Sequence, residues 1–180
     1  MSTRLTVLGL LSQKSMTGYE IQQVLQQSGA DRWAGILSGS VYHALKKLEK
    51  DQFIEVQSVE NNGNRQKAIY RLTVKGTAEL EQLIIESLEK SSVSYPTTLY
   101  ASLTFLDLIN EDHALRALNN HRDRLRSEIE YMEVGRKKKE AIIDMAPHIQ
   151  MLFSNINKQL LLQIELIEQI IDFLEKKKEK

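Results

Sequence analysis

A chain of 180 residues, 42% hydrophobic and 27% charged, is long enough to bury one sizeable core and a second, smaller one. It has no Cys, which excludes disulfides, thiolate catalysis and cysteine-based zinc sites, and its 24 Lys+Arg balance 24 Asp+Glu. The zero net charge hides a bias: residues 1–75 hold 10 basic and 6 acidic residues, the remainder 14 and 18, so a surface for polyanions is expected in the N-terminal half.

The opening stretch MSTRLTVLGLLSQKS has too short an apolar run and the wrong flanks for a secretion signal. No stretch is long and apolar enough to span a bilayer, so a soluble, cytoplasmic protein without membrane contact is expected. A first helix is expected from about Thr3 to Ser12 on Leu5, Leu8 and Leu11. Thr17 and Glu20 have the spacing of a capping box, and Met16 and Ile21 occupy the two staple positions. A second helix should therefore start at Thr17, bury Ile21, Val24 and Leu25, and close at Gly29. Ala30 to Leu37 reads as a connection whose Trp33 and Ile36 fill a gap between helices; Trp33 also suits the wall of a ligand cavity, with core packing the stronger reading.

From Ser38 the pattern is a third helix. Val41, Ala44, Leu45 and Leu48 make a docking face, while Ser40, Tyr42, His43, Lys46, Lys47 and Lys50 lie opposite, with Ser38 or Ser40 available to cap the start. Every outward residue can donate a hydrogen bond. Lysines suit phosphates, whereas Ser40, Tyr42 and His43 near the helix start suit base edges or the phosphates beside them. A plain solvated helix explains this segment equally well; the segment after it tips the balance. Phe53 to Glu60 alternates as a strand, with Ile54, Val56 and Ser58 on one side, and Arg65 to Leu72 alternates again, with Ala68, Tyr70 and Leu72 opposed to Lys67, Ile69 and Arg71. Asn61-Asn62-Gly63-Asn64 tolerates the positive φ of a tight hairpin. Arg65 and Lys67, at or beside the tip, suit a wing that enters a minor groove or follows its phosphates.

Thr73 begins a further helix carrying Ala78, Leu80, Leu83, Ile84 and Leu88, and Ser91 to Pro96 breaks it. The expected fold is therefore mainly α: a winged helix-turn-helix DNA-binding domain with a two-stranded wing over residues 1–90, then an all-helical dimerisation domain over 91–180. In the second half a short helix is expected from Thr97 to Ile109. A long one follows from Asn110-Glu111-Asp112 to about Ala146, on Leu115, Leu118, Leu125, Ile129 and Met132. Pro147 ends it or starts the next helix, which runs to about Lys177. There Leu160, Ile164, Ile167, Ile171 and Leu174 alternate at spacings of four and three like a coiled-coil seam, widened by Leu161, Leu166 and Ile170. Such a stripe can pack on the chain's own helices and on a second copy together; these long helices cannot bury all their apolar surface on one small winged domain, and a homodimer through them is expected.

Four separated motifs resemble, in order and spacing, the N-terminal domain of the PadR family of transcriptional regulators: LGLL at 8–11, TGYEI at 17–21, SGSVYHALKKLEKDQFI at 38–54 and GNRQKAIYRLTVKG at 63–76. The resemblance covers about the first 80 residues; the second half is similar in size and helical character to the longer subgroup with a multi-helix dimerisation domain. It implies a dimeric winged-helix repressor on an inverted repeat of double-stranded DNA, released by a small-molecule or other cellular signal. By the same resemblance Tyr42 is the signature tyrosine of the recognition helix, Lys46 and Lys47 its basic pair, and Gly63, Arg65 and Lys67 its wing; Tyr19 and Tyr70 match further family aromatics. Two positions depart. His43 stands where proline is common and adds a donor toward DNA, and Gln52 stands where glycine is usual, so the helix should end in a more strained turn.

Enzymatic readings find no support. His43, His113, His121 and His148 do not pair at helical metal spacing, and no phosphate loop or nucleophile motif is present, so no metal and no cofactor is expected. Asp112 with His113 is better explained as a solvated helix start than as a metal pair, and the basic runs at 136–139 and 176–178 as exposed helix faces. The runner-up is a helical adaptor whose winged domain and last helix bind protein in place of DNA. Aromatics at Tyr95, Tyr100 and Phe105 are expected in core packing rather than around an effector.

Overall fold

The computed structural model describes residues 2–27, 35–62, 65–90, 93, 95–140 and 145–178; at 2, 38, 61, 62, 65, 66, 138 and 139 it describes the backbone alone. Expectations placed on Gly29, Trp33 and Gly63 lie outside the described residues. Chain contacts separate two compact units, Met1–Val93 and Ser94–Lys180.

In the first unit, α1 (Ser2–Gln13) packs on α3 (Ser38–Lys50) and on α4 (Val74–Glu89), while α2 (Gly18–Gln27) packs on α3. The core is the sum of the apolar stripes: Val7, Leu8 and Leu11 from α1, Ile21 and Leu25 from α2, Val41, Leu45 and Leu48 from α3, with Met16, Ile36, Ile54 and Leu83 closing it. Val24 is only half-buried. The expected capping box is present: the Thr17 N–H donates to Glu20 Oε2 at 2.7 Å, and the Glu20 N–H donates to Thr17 Oγ1 at 3.2 Å. Thr17 does more than cap, because Met16–Thr17 forms a short strand, β1, paired with Tyr70 and Ile69. The two-stranded hairpin of β2 (Ile54–Asn62) and β3 (Arg65–Leu72) thereby becomes a three-stranded antiparallel sheet of order β1-β3-β2.

Within the hairpin, the register passes from Val56↔Tyr70 to Ser58↔Ile69, so Gln57 is a bulged residue. The bulge reverses the alternation. Ser58 falls on the face opposite Ile54 and Val56, a correction to the simple period-two reading. At the other end of β2, α3 terminates in a Schellman turn: Phe53 N–H donates to Leu48 O and Gln52 N–H to Glu49 O, both at 2.9 Å. That turn requires a left-handed residue, and Gln52 takes it at φ 63°, so the strained turn expected at this position is observed. Helix α4 locks onto the same turn. Thr73 Oγ1 donates to the carbonyls of Gln52 and Phe53 and caps α4 by accepting from the Gly76 N–H at 3.0 Å. A Cβ on Gly76 would lie 1.9 Å from the Phe53 carbonyl oxygen, so only glycine fits there.

The second unit holds α5 (Thr97–Thr104), a 3-10 turn (Leu106–Leu108), α6 (Glu111–Glu140) and α7 (Pro147–Lys178). Asn110 Oδ1 accepts from the Asp112 N–H at 2.9 Å at the start of α6, and Pro147 opens α7, where its missing N–H costs nothing. The described part of α6 ends at Glu140, short of the expected Ala146. The two long helices form an antiparallel hairpin, bridged by Arg126–Glu168 at 2.8 Å and, at its open end, by Lys177–Glu111 at 3.1 Å and the Lys178–Asp112 pair. Its core joins Ala114 and Leu118 to Ile167, Ile171 and Leu174.

That core takes up most of the seam within the chain, one of the two packings expected for it. Ile164, Ile167, Ile171 and Leu174 are buried on the chain's own α6 and Leu160 is half-buried, because α6 supplies a complementary stripe within reach of a short connection. Apolar residues left exposed are others, among them Leu161, Leu162 and Phe173 on α7. Likewise Ala78, Ile84 and Leu88 of α4 are exposed, and Leu83 is buried there beside Gly76. Tyr95, Tyr100 and Phe105 are exposed too, rather than packed in a core, with the two tyrosine rings 6.4 Å apart. Among the described residues, no helix is long and apolar enough to cross a membrane.

Candidate nucleic-acid interface

Helix α3 presents its outward face because its inward face is fully used. With Val41, Leu45 and Leu48 buried, helical spacing leaves Tyr42, His43, Lys46, Lys47 and Lys50 exposed along the other side. The start of the helix differs from expectation. Leu37 occupies the N-cap position without a side-chain cap, and the Ser40 hydroxyl turns back to donate to the Leu37 carbonyl at 2.6 Å, with Thr3 Oγ1 3.3 Å away. Ser40 is thus half-buried and tied to the helix start, neither capping nor facing outward. Ser38 is the first residue of the helix, and its side chain lies outside the described residues.

Tyr42 is held by a glycine. A Cβ on Gly18 would approach Tyr42 Cε1 to 2.7 Å, so the ring lies against the bare backbone that opens α2. Its neighbour Tyr70, on β3, has its phenol pushed above the usual value, first by burial and then by the proximity of Glu49 and Tyr42, and so stays neutral. The β1–β3 pairing brings the wing to the same place. Lys67 is exposed on β3, its Nζ 5.9 Å from the centre of the Tyr19 ring, and the Tyr19 hydroxyl accepts from Gln23 Nε2 at 2.7 Å. Below them the Glu20 carboxyl is held under its ordinary range, mainly by the Thr17 N–H and then the Thr17 hydroxyl, with Lys14 and Lys67 adding. Arg65 opens β3 opposite Asn62, which leaves a two-residue connection at the tip; its side chain lies outside the described residues.

Tyr19 was absent from the DNA-directed set and belongs to the same surface. The signal lay in the TGYEI stretch, but only β1, too short to show a period, brings Tyr19 beside Lys67. The assembled surface offers ammonium, imidazole and phenol groups, with Glu49 as the one acidic residue on that side of α3, and among the described residues no cluster fit to hold a metal ion. It is equipped to hold an anionic polymer.

Residues 7–82 match the model of the transcriptional regulator PadR-like family. The chain belongs to the PadR-like family. PadR-like folds recur among solved structures along its whole length. The chain is similar to smu.1604c from Streptococcus mutans, at 23% identity over 96% of this chain and 99% of that one, with a TM-score of 0.78. It is similar to the PadR-like regulator BC1756 from Bacillus cereus, at 21% identity over 97% and 99% of the two chains and a TM-score of 0.75. It also resembles Bacillus subtilis PadR, solved in complex with operator DNA, at 18% identity over 95% and 98% and a TM-score of 0.72. The same B. subtilis protein solved with p-coumaric acid gives 16% identity over 97% and 99% and a TM-score of 0.75. At these identities the likeness establishes a mainly helical winged-helix fold. No curated protein matches the sequence.

Proposed function

We propose that this PadR-like regulator binds double-stranded DNA through α3 and the β2–β3 wing, as a dimeric repressor on an inverted-repeat operator, and that a small-molecule or other cellular signal releases it. The observation that carries the reading is the convergence of Tyr42, His43, Lys46, Lys47 and Lys50 on α3 with Lys67 on the wing, gathered by β1 at one side of the first unit. The lysines and Arg65 neutralise phosphates; Tyr42 and His43, near the helix start, read base edges or flanking phosphates. Operator DNA in the B. subtilis PadR complex supports the DNA role, and p-coumaric acid in the other supports a small-molecule effector.

One winged domain makes few phosphate contacts and binds weakly, whereas two related by symmetry reach half-sites about one helical turn, or a multiple of it, apart. Dimerisation is assigned to the second unit, on the apolar residues that its own hairpin leaves exposed, such as Leu161, Leu162 and Phe173, and not on the Leu160 to Leu174 seam that the hairpin consumes. An effector then acts by binding better to a dimer whose α3 helices are wrongly spaced.

Fluorescence anisotropy on the duplex upstream of the protein's own gene, at two salt concentrations and beside a scrambled duplex, tests the proposal. Tight, selective, salt-sensitive binding is expected. Replacing both Lys46 and Lys47 by Ala should flatten the log–log salt slope by about two, and Arg65→Ala by about one. Binding no better than to the scrambled duplex, with slopes untouched by these changes, returns the adaptor reading.

A further inference from the structure

The outward face of α3 mixes groups of fixed charge with one imidazole. His43 is exposed, and helical spacing puts Gly39 and Ser40 one turn before it and Lys46 and Lys47 one turn after. Its neighbours are of another kind. Between about pH 5 and pH 8 ammonium groups, phenols and carboxylates ordinarily keep their charge, whereas an imidazole ordinarily gains or loses one. Among the described residues His43 makes no hydrogen bond and no ion pair. The ionisable groups on the elements packed against α3 are engaged elsewhere: Arg4 of α1 pairs with Glu79 at 2.8 Å, Glu20 of α2 accepts from Thr17, and Glu55 of β2 pairs with Arg71 at 2.7 Å. Tyr19 of α2 accepts from Gln23, and Glu60 of β2 stands opposite Lys67 on β3. On α3 itself Glu49 lies by Tyr70, and the charged groups one turn from His43 are the two lysines.

A proton on His43 in the free chain therefore adds a positive charge beside Lys46 and Lys47, with no carboxylate among the described residues to offset it. Duplex DNA changes that balance. A phosphate, or a guanine edge that offers N7 and O6, supplies the missing acceptor, and the charged ring brings two N–H donors where the neutral ring brings one. A charge opposed in the free protein and answered in the complex ties binding to proton uptake, and by reciprocity a proton then strengthens binding.

We propose that His43 takes up a proton when this chain binds DNA, so that its DNA affinity rises as the solution is acidified through neutrality. The inference rests on the DNA-binding reading above and adds a regulatory input to the same surface. Anisotropy on the duplex upstream of the protein's own gene, at about pH 5.5 and about pH 7.5 and over a range of salt, tests it. The comparison is His43→Gln, which keeps a hydrogen-bonding side chain and cannot charge; circular dichroism should be unchanged at this exposed position. The parent should bind about tenfold tighter at the lower pH, the scale of one charge-assisted hydrogen bond, with a log–log salt slope steeper by about one per bound chain. His43→Gln should lose both changes, and any response it keeps belongs to other groups, the imidazoles of His113, His121 and His148 included. Calorimetry of DNA binding at about pH 6.5, in buffers of different ionisation heat, should record uptake of up to about one proton per chain by the parent and none by the variant. Selective, salt-sensitive binding with no pH response, or with one that survives His43→Gln, would overturn this inference and leave the DNA reading standing. Binding that is neither selective nor salt-sensitive at either pH would remove the DNA reading and this inference with it.

Discussion

The two units bury their apolar residues in different ways. In the first, four helices and two strands send apolar residues to one core, and Leu8, Ile21, Val41 and Leu48 are each at most 1% exposed. In the second, α6 and α7 spend one stripe on each other and leave others in the open, with Leu162 62% and Phe173 57% exposed. A closed core frees its outer surface for polar work, and the first unit places lysines and tyrosines there. A two-helix hairpin cannot enclose both its flanks, so the second unit retains apolar surface that only a further element or another molecule can cover.

The comparison breaks most easily at the cores. Leu48→Ala should lower the unfolding free energy by about 2–5 kcal/mol in urea melts, and Ile167→Ala should cost a similar amount through the hairpin core. Leu162→Ser, at an exposed position of the same helix, should change monomer stability by no more than about 0.5 kcal/mol. Light scattering would then show whether it shifts the oligomeric state, as the dimer proposal requires. A large stability loss for Leu162→Ser in a monomeric sample would show that α7 is covered within the chain after all.

Gly76→Ala sharpens the account of the first unit. The added methyl meets the Phe53 carbonyl, and a loss of about 1–3 kcal/mol is expected as α4 backs away from the α3 turn. Gln52→Gly acts in the opposite sense: releasing a left-handed glutamine should gain about 1 kcal/mol, read as a raised urea midpoint at unchanged slope. The smallest effect concerns pH. Glu20 has a depressed pKa in the fold, so its contribution is present above the ordinary carboxylate range and is lost as pH falls through the lower folded value. Glu20→Gln should therefore be less stable than the parent at neutral pH, with the gap closing as the solution is acidified. A gap that widens in acid would contradict the capping geometry.

Much of this was legible along the chain. Helices α1 and α3 announce themselves by a periodic face, α2 by the Thr17–Glu20 box, and α4 by Thr73, all signals that act within a few residues. The hairpin followed from two alternating runs around an Asn-Gly turn, and the strain at Gln52 from the absence of glycine. Two of the misreadings share a cause. The bulge at Gln57 and the strand at Met16–Thr17 depend on partners distant in sequence, Ile69 and Tyr70 across the sheet; Ser40 turns back on its own helix start, onto the Leu37 carbonyl, with Thr3 of α1 beside it. The α7 stripe shows the same limit most plainly. Its period was right, and the structure shows which partner within the chain it packs against, α6.

By itself, then, the sequence determined which segments are helical or extended and which faces are apolar, because propensity, capping and periodicity are local. The tertiary structure decided which apolar face meets which, and so which side chains remain at the surface. Burial is a property of pairs of elements, and several pairings satisfy the same periodic pattern. For this chain that decision placed Tyr19 beside Lys67 and turned the coiled-coil-like seam of Ile164, Ile167, Ile171 and Leu174 into the inside of a hairpin.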